Sequence, residues 1–222
     1  MRRTLDVLLS FLALVMLAPL LLPVVIILKF TGEGEVFYIQ ERVGLGGKSF
    51  GLYKFATMLK NSPNIGAGEI TVRGDPRVLP FGRFLRKTKL NELPQLWNIL
   101  IGDMSVVGPR PMVLNTYTHY PQMAREKLNT IRPGLTGIGS IVFRDEESYL
   151  VDHDEPMEFY KNHIIPYKSD LEVWFVENNT NKLYIKIIFV TAWVIVFPSS
   201  NMVDKVFTGI PKLPESLLKY ND

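Results

Sequence analysis

Asn91 and Glu92 place a carboxamide beside a carboxylate, directly after the basic cluster Arg86, Lys87 and Lys89. Cations next to a carboxylate suit the holding of a phosphate group. A helix start at this point would add free backbone N–H groups and the positive end of a dipole, both of which attract anions. The same residues have a plainer reading. Asn91 is a good N-cap, Glu92 is favourable in a first turn, and the three cations can form a solvated face. Spacing alone leaves both readings open.

Two further arginines stand in rigid turns. Arg110 lies in Gly108-Pro109-Arg110-Pro111, and Arg132 precedes Pro133-Gly134, where a Pro-Gly turn sets a guanidinium beside a glycine-relaxed backbone. The elements that must position these groups are legible in outline. Leu93, Leu96, Trp97 and Leu100 recur at the spacing of one helical face, and Gly102 supplies a stop. Pro94 is compatible with that helix, since a first-turn N–H has no intrahelical partner to lose. Glu35 to Phe55 reads as a β-hairpin, with alternating β-prone residues on either side of the turn Gly44-Leu45-Gly46-Gly47. A polar-aromatic helix carrying Tyr117, His119 and Tyr120 is expected between Met112 and Asn129. Asn61 to Asp75 reads as a loop, a surface connection or a lid. The acidic stretch Asp145 to Glu158 reads as partly helical and solvated, without the spacing of a metal site.

The signature stretch resembles that of the small monotopic phosphoglycosyl transferases, a family of bacterial sugar transferases. Leu90-Asn91-Glu92-Leu93-Pro94-Gln95-Leu96-Trp97-Asn98, Gly102-Asp103-Met104-Ser105 and Val107-Gly108-Pro109-Arg110-Pro111 carry the likeness, with Asn91 where the family has its catalytic Asp. Gln40-Glu41-Arg42-Val43-Gly44, Tyr53-Lys54-Phe55-Ala56-Thr57-Met58 and Arg132-Pro133-Gly134-Leu135-Thr136-Gly137 extend it, Ala56 replacing a usual Arg or Lys. Arg144 falls at the spacing of another phosphate-binding Arg of the family, in a different local context. The resemblance implies transfer of a phospho-sugar from a UDP-sugar to polyprenyl (undecaprenyl) phosphate with release of UMP. It implies Mg²⁺ as cofactor, Asn91 and Glu92 as the catalytic pair with Glu92 as a metal ligand, and Arg86, Arg110, Arg132 and Arg144 on the phosphates. A neutral amide at position 91 is a far poorer nucleophile than a carboxylate. Glu92 then takes over the chemistry, or the lipid phosphate attacks directly, or the chain is a non-catalytic membrane-bound relative that binds or scaffolds. Outside the family, a membrane-anchored module contacting anionic lipid is the competing reading.

Residues 1–30 decide the compartment. From Val7 to Leu28 the chain has no charge and one hydroxyl, Ser10. A straight helix of about 22 residues reaches about 33 Å, enough for a bilayer core. The run is long for a signal peptide and has no A-x-A site before Lys29. A single crossing is the ordinary reading. Pro19 and Pro23 as helix breaks, and basic residues at both ends, favour instead a helix that enters one leaflet and returns, which the resemblance also implies. The expected protein is therefore α+β and mainly helical. A re-entrant membrane helix (1–30) precedes a compact cytoplasmic domain (31–222) with a β-hairpin and interfacial amphipathic helices. One of these lies near 183–197, where Tyr184, Lys186 and Trp193 suit a membrane surface. The setting implied is the inner leaflet of a bacterial cytoplasmic membrane. A formal net charge of +3 gives no ground for nucleic acid as partner. With no cysteine, disulfides, thiolate chemistry and cysteine-bound metals are excluded.

Overall fold

The computed structural model describes residues 2–65, 74–144, 146–150, 155–197 and 200–218. They form two compact units. The first comprises Arg3–Glu41 and Gly51–Gly102, the second Arg42–Phe50 and Asp103–Asp222. The architecture is α+β and mainly helical, as the sequence suggests.

Helix α1 (Arg2–Phe30) opens the first unit. Among the described residues it is the one helix long and apolar enough to cross a membrane. Pro19 and Pro23 lie inside it, and the helix runs on through both. The expected break is therefore not a gap: each proline removes one N–H from the ladder without ending it. Asp6, Ser10, Val24 and Leu28 are buried, and Leu17 and Leu21 partly so, which makes one stripe along an otherwise exposed apolar helix. Its C-terminal half packs Val24 and Leu28 against Phe55 and Leu85. At the other end Arg3 donates to the carbonyls of Ile99 and Leu100, the latter at 2.7 Å. These are last-turn carbonyls of a helix, unsatisfied within it and at its negative end.

Strands β1 (Phe37–Val43) and β2 (Ser49–Phe55) form the expected hairpin, its turn closed by Gly44 N–H donating to Lys48 O at 2.8 Å. Helix α2 (Pro80–Lys87) begins with proline at its first position, and helix α3 (Gln95–Ile101) ends at Gly102, whose φ of 103° is the left-handed conformation glycine adopts freely. The face of α3 differs from the apolar-spacing expectation. Gln95, Asn98 and Ile99 are buried along with Leu96, whereas Trp97 is 51% exposed. Asn98 explains the rotation. It accepts from Tyr53 N–H at 3.0 Å and donates to Gly51 O at 2.8 Å, so a polar side chain pins the hairpin from inside the unit. Ahead of α2, Asp75 and Arg77 form a buried pair, Nη2 to Oδ2 at 2.6 Å. Arg77 also donates to the carbonyls of Ser62 and Ile65, both at 2.8 Å. Of the loop or lid expected from Asn61 to Asp75, Ser62–Asn64 is a 3₁₀ turn, and residues 66–73 lie outside the described residues.

In the second unit β3 (Ser105–Val107) pairs in parallel with a distant strand, here β4 (Gly134–Thr136), Ser105 opposite Gly134 and Val107 opposite Thr136. The single helix expected between them is two, α4 (Leu114–Thr118) and α5 (Gln122–Leu128). Pro121 separates them by disfavouring helical geometry in the residue before it. Helix α6 (Ile138–Val142) follows β4. Of the acidic stretch, Glu146–Leu150 is a 3₁₀ segment, and helix α7 (Pro156–Phe159) leads through a π-helical turn (Tyr160–Ile164) into α8 (Ile165–Glu177). Asp145 and residues 151–154 lie outside the described residues. Helix α9 (Asn181–Val196) is capped by Thr180, whose hydroxyl accepts from Leu183 N–H. It buries Leu183, Tyr184, Ile187, Val190 and Val194 and exposes Ile185, Phe189, Ile195 and Val196. Short helices α10 (Met202–Val206) and α11 (Glu215–Leu218) complete the described chain.

Candidate active site

Arg86, Asn91 and Glu92 belong to the first unit. Arg86 is in the last turn of α2. Lys89 adopts a left-handed conformation, φ 59°, which turns the chain sharply into a 3₁₀ segment, Leu90–Glu92. Asn91 and Glu92 therefore do not cap α3. Pro94 occupies its N-cap, and the pair sits one turn earlier. Helix α2 and this turn are packed together, with Leu90 and Phe81 on the cluster formed by Leu85, Phe55, Val24 and Leu28. Asn91 is 7% exposed, and its Oδ1 has no hydrogen-bond partner among the described residues. A buried acceptor left unmade costs about 1–3 kcal/mol, a cost the plain capping reading does not explain. Glu92 is half-buried beside it.

Arg110, Arg132 and Arg144 belong to the second unit. The first two are brought together by their backbones. Ser105 N–H donates to Pro133 O, Gly134 N–H to Pro109 O and Gly108 N–H to Thr136 O, all within 2.9 Å. A Cβ on Gly134 would lie 2.0 Å from the nitrogen of Gly108. The glycines of the two motifs are thus what lets the two turns touch. Arg132 is exposed and Arg110 half-buried. Arg144 follows α6, and its guanidinium donates to the carbonyl of Val194 in α9.

Beneath Arg110 lies a buried polar group that sequence reasoning missed. Glu172 of α8 is 2% exposed, and its Oε1 accepts from Arg110 N–H at 3.3 Å. Burial raises its pKa from the ordinary carboxyl value to about 7, against the opposing pull of the Arg110 N–H, Lys168 and the Arg110 guanidinium. Lys168, one turn earlier on α8, is buried and donates to Glu146 at 2.7 Å. Burial, the largest single influence, would lower its pKa, but the Glu146 carboxylate and Tyr160 together outweigh that and the value is raised. Its ammonium also lies 5.4 Å from the Phe143 ring and 5.7 Å from that of Tyr160. Tyr120 is pushed well up by burial, with Tyr160 and Glu172 adding to it. The available signal was Lys168 and Glu172 at i, i+4 on a segment with Tyr167, Leu171 and Phe175.

Among the described residues no group of three or more His, Cys, Asp or Glu side chains is placed to hold a metal. The oxygen pair of Asn91 Oδ1 and the Glu92 carboxylate nonetheless has the right chemistry for Mg²⁺. That ion takes hard oxygen ligands and binds through one or two protein groups plus substrate phosphates.

The sequence model of the family described as bacterial sugar transferase matches residues 1–198. The chain is 41% identical over 162 residues to the exopolysaccharide production protein ExoY of Sinorhizobium fredii, covering 67% of this chain and 71% of that one. It is 35% identical over 163 residues to a UDP-N-acetylgalactosamine-undecaprenyl-phosphate N-acetylgalactosaminephosphotransferase of Aeromonas hydrophila, covering 69% and 38%. It is 34% identical over 211 residues to an undecaprenyl-phosphate galactose phosphotransferase of Salmonella typhimurium, covering 88% and 40%. The chain thus spans well under half the length of these two phosphotransferases. Their names are those of enzymes and give no support to a non-catalytic relative.

Proposed function

The chain belongs to the bacterial sugar transferase family, a family of enzymes, and from that premise we propose that it transfers a phospho-sugar from a UDP-sugar to undecaprenyl phosphate, releasing UMP. The observation that carries the reading is the turn holding Asn91 and Glu92, where a buried amide oxygen without a partner stands beside a carboxylate.

An oxygen of the lipid phosphate attacks the β-phosphorus of the donor. The bond from that phosphorus to the bridging oxygen breaks, and UMP leaves with that oxygen. The attack is direct on this reading, because the amide of Asn91 is a poor nucleophile and Glu92 is assigned to the donor and the metal, so no phospho-sugar enzyme forms. Asn91 and Glu92 orient the donor and would hold Mg²⁺, which when bound supplies positive charge to the diphosphate and the departing UMP. Arg110 and Arg132 hold phosphate oxygens, for which the planar guanidinium fork is suited. Arg86 and Arg144 add positive charge, the latter while tied to Val194.

The anchoring of α1 supports a re-entrant helix. Arg3, near one end, and Leu28, near the other, are both held within the first unit, the former on the end of α3 and the latter on the Phe55–Leu85 cluster. Such a helix leaves and rejoins one face, here the cytoplasmic face of the inner membrane, so that a soluble donor meets a lipid acceptor. Exposed Phe84, Trp97 and Ile101 suit an interfacial position.

The test is UMP release by detergent-purified protein with undecaprenyl phosphate, Mg²⁺ and a panel of UDP-sugars. Wild type turns over with intersecting initial-rate lines, and Glu92→Gln lowers turnover by about 10²–10³-fold. Parallel lines with a phospho-sugar adduct on the protein would replace the direct route by a covalent one. A silent wild type alongside an active Asn91→Asp would overturn catalysis by the natural chain.

A further inference from the structure

Glu172 is costly where it stands. A carboxylate taken from water is destabilised unless it is well paired, and its Oε2 has no hydrogen-bond partner among the described residues. An apolar side chain would fill the position without that cost. What the carboxylate does touch is specific. Oε1 accepts from the backbone N–H of Arg110, and the same oxygen would lie 2.4 Å from a Cβ on Gly139. Gly139 is in α6, the helix that leads to Arg144. Lys168, on the same face of α8, holds Glu146, two positions after Arg144. One buried face of α8 therefore braces both chain segments that carry these arginines.

We propose that Glu172 is a positioning residue for Arg110: its carboxylate fixes the backbone of the Arg110 turn, and its ionisation state sets the affinity for the donor diphosphate. This rests on the transferase reading above. The ionised carboxylate is the stronger acceptor for the Arg110 N–H, because charge-assisted hydrogen bonds are about twice as strong as neutral ones. On protonation the brace slackens. The groups around it are few. Arg110 faces it from the turn after β3, Lys168 from its own helix and Tyr120 from the residues before α5, with Tyr160 and Glu146 beyond Lys168. Helix α6 presents Gly139 and no titratable group. Lys127 of α5 is engaged at the far end of α8 by Glu177. With burial holding the Glu172 pKa at about 7, the change falls within the working range of an enzyme assay.

The experiment measures donor KM and kcat from pH 5.5 to 8.5 for wild type, Glu172→Gln and Glu172→Asp, using the UDP-sugar that turns over best. In wild type KM rises about fivefold to tenfold as pH falls through 7, while kcat stays within about twofold. Glu172→Gln gives a KM that is raised at pH 8 and flat with pH; Glu172→Asp keeps the pH dependence. A wild-type KM that is flat, or that falls toward acid, overturns the proposal, as does an unaltered pH dependence in Glu172→Gln. If Glu172→Gln does not fold, the wild-type and Glu172→Asp profiles decide. If wild type releases no UMP at any pH, the transferase reading has failed. The brace is then read from protection against heat unfolding by UDP, which shrinks at pH 6 relative to pH 8 in wild type and not in Glu172→Gln. Equal shrinkage in both proteins, or no protection in either, overturns it.

Discussion

The turn that carries Asn91 and Glu92 and the pair of turns that carry Arg110 and Arg132 are held by opposite means. The first is a 3₁₀ turn entered through a left-handed Lys89, and it leaves one buried oxygen without a partner. The second is backbone on backbone, three N–H to carbonyl bonds made possible by glycine, with a carboxylate pressed in from below. On the proposed reading, the pair that meets the donor keeps an oxygen for a ligand to complete, whereas the turns that would hold an anion are fixed backbone to backbone. A left-handed non-glycine residue marks the first turn, and close glycine-to-backbone approach marks the second.

Four substitutions test that contrast, from the largest expected effect to the smallest. Glu92→Gln lowers kcat by about 10²–10³-fold, with Tm within a degree or two of wild type by calorimetry in detergent. If Tm fell in step with activity, the turn would be structural. Gly134→Ala does the reverse. Its methyl meets the Gly108 nitrogen at 2.0 Å, so stability drops by about 3 kcal/mol, and activity disappears only as folded protein is lost. An unchanged Tm would show that the two turns are not rigidly joined.

The third is a slope with pH. Glu172 has a folded pKa of about 7, above the ordinary carboxyl value of 4.5. Between those pH values the folded protein holds a proton that the unfolded chain has released. Stability therefore falls as pH rises from about 4.5 to about 7, by about 3 kcal/mol as an order of magnitude, and is level above. Heat unfolding of Glu172→Gln lacks that part of the slope. The smallest effect belongs to Asn91→Leu. Removing an unpartnered buried acceptor raises stability by about 1 kcal/mol, while turnover falls. A loss of stability instead would mean that Asn91 Oδ1 is satisfied in solution.

How much of this could be read beforehand follows from where the determining contacts lie. The hairpin was legible because alternation and a glycine run are local. So was α1, whose length and apolarity need no partner to be seen. The face of α3 was misjudged because apolar spacing assumes that polar residues point outward, and Asn98 points inward to hold Tyr53 and Gly51. The parallel pairing of β3 with β4 was invisible, since three-residue strands carry no pattern and their register is set by glycines in distant motifs. Asn91 and Glu92 could be picked out as candidates, and Arg110 and Arg132 as well. What braces Arg110 could not, because Glu172 is remote in sequence and lies on a helix that gave no reading at all.

The Asp75–Arg77 pair has a practical consequence. Arg77 holds the carbonyls of Ser62 and Ile65 on one side of residues 66–73 while ion-pairing to Asp75 on the other, so the ends of that segment are tied independently of its content. The arginine thus works as a non-covalent cross-link: Arg77→Leu would release the Asp75 carboxylate and two carbonyls at once, just ahead of the helix that leads to Asn91 and Glu92.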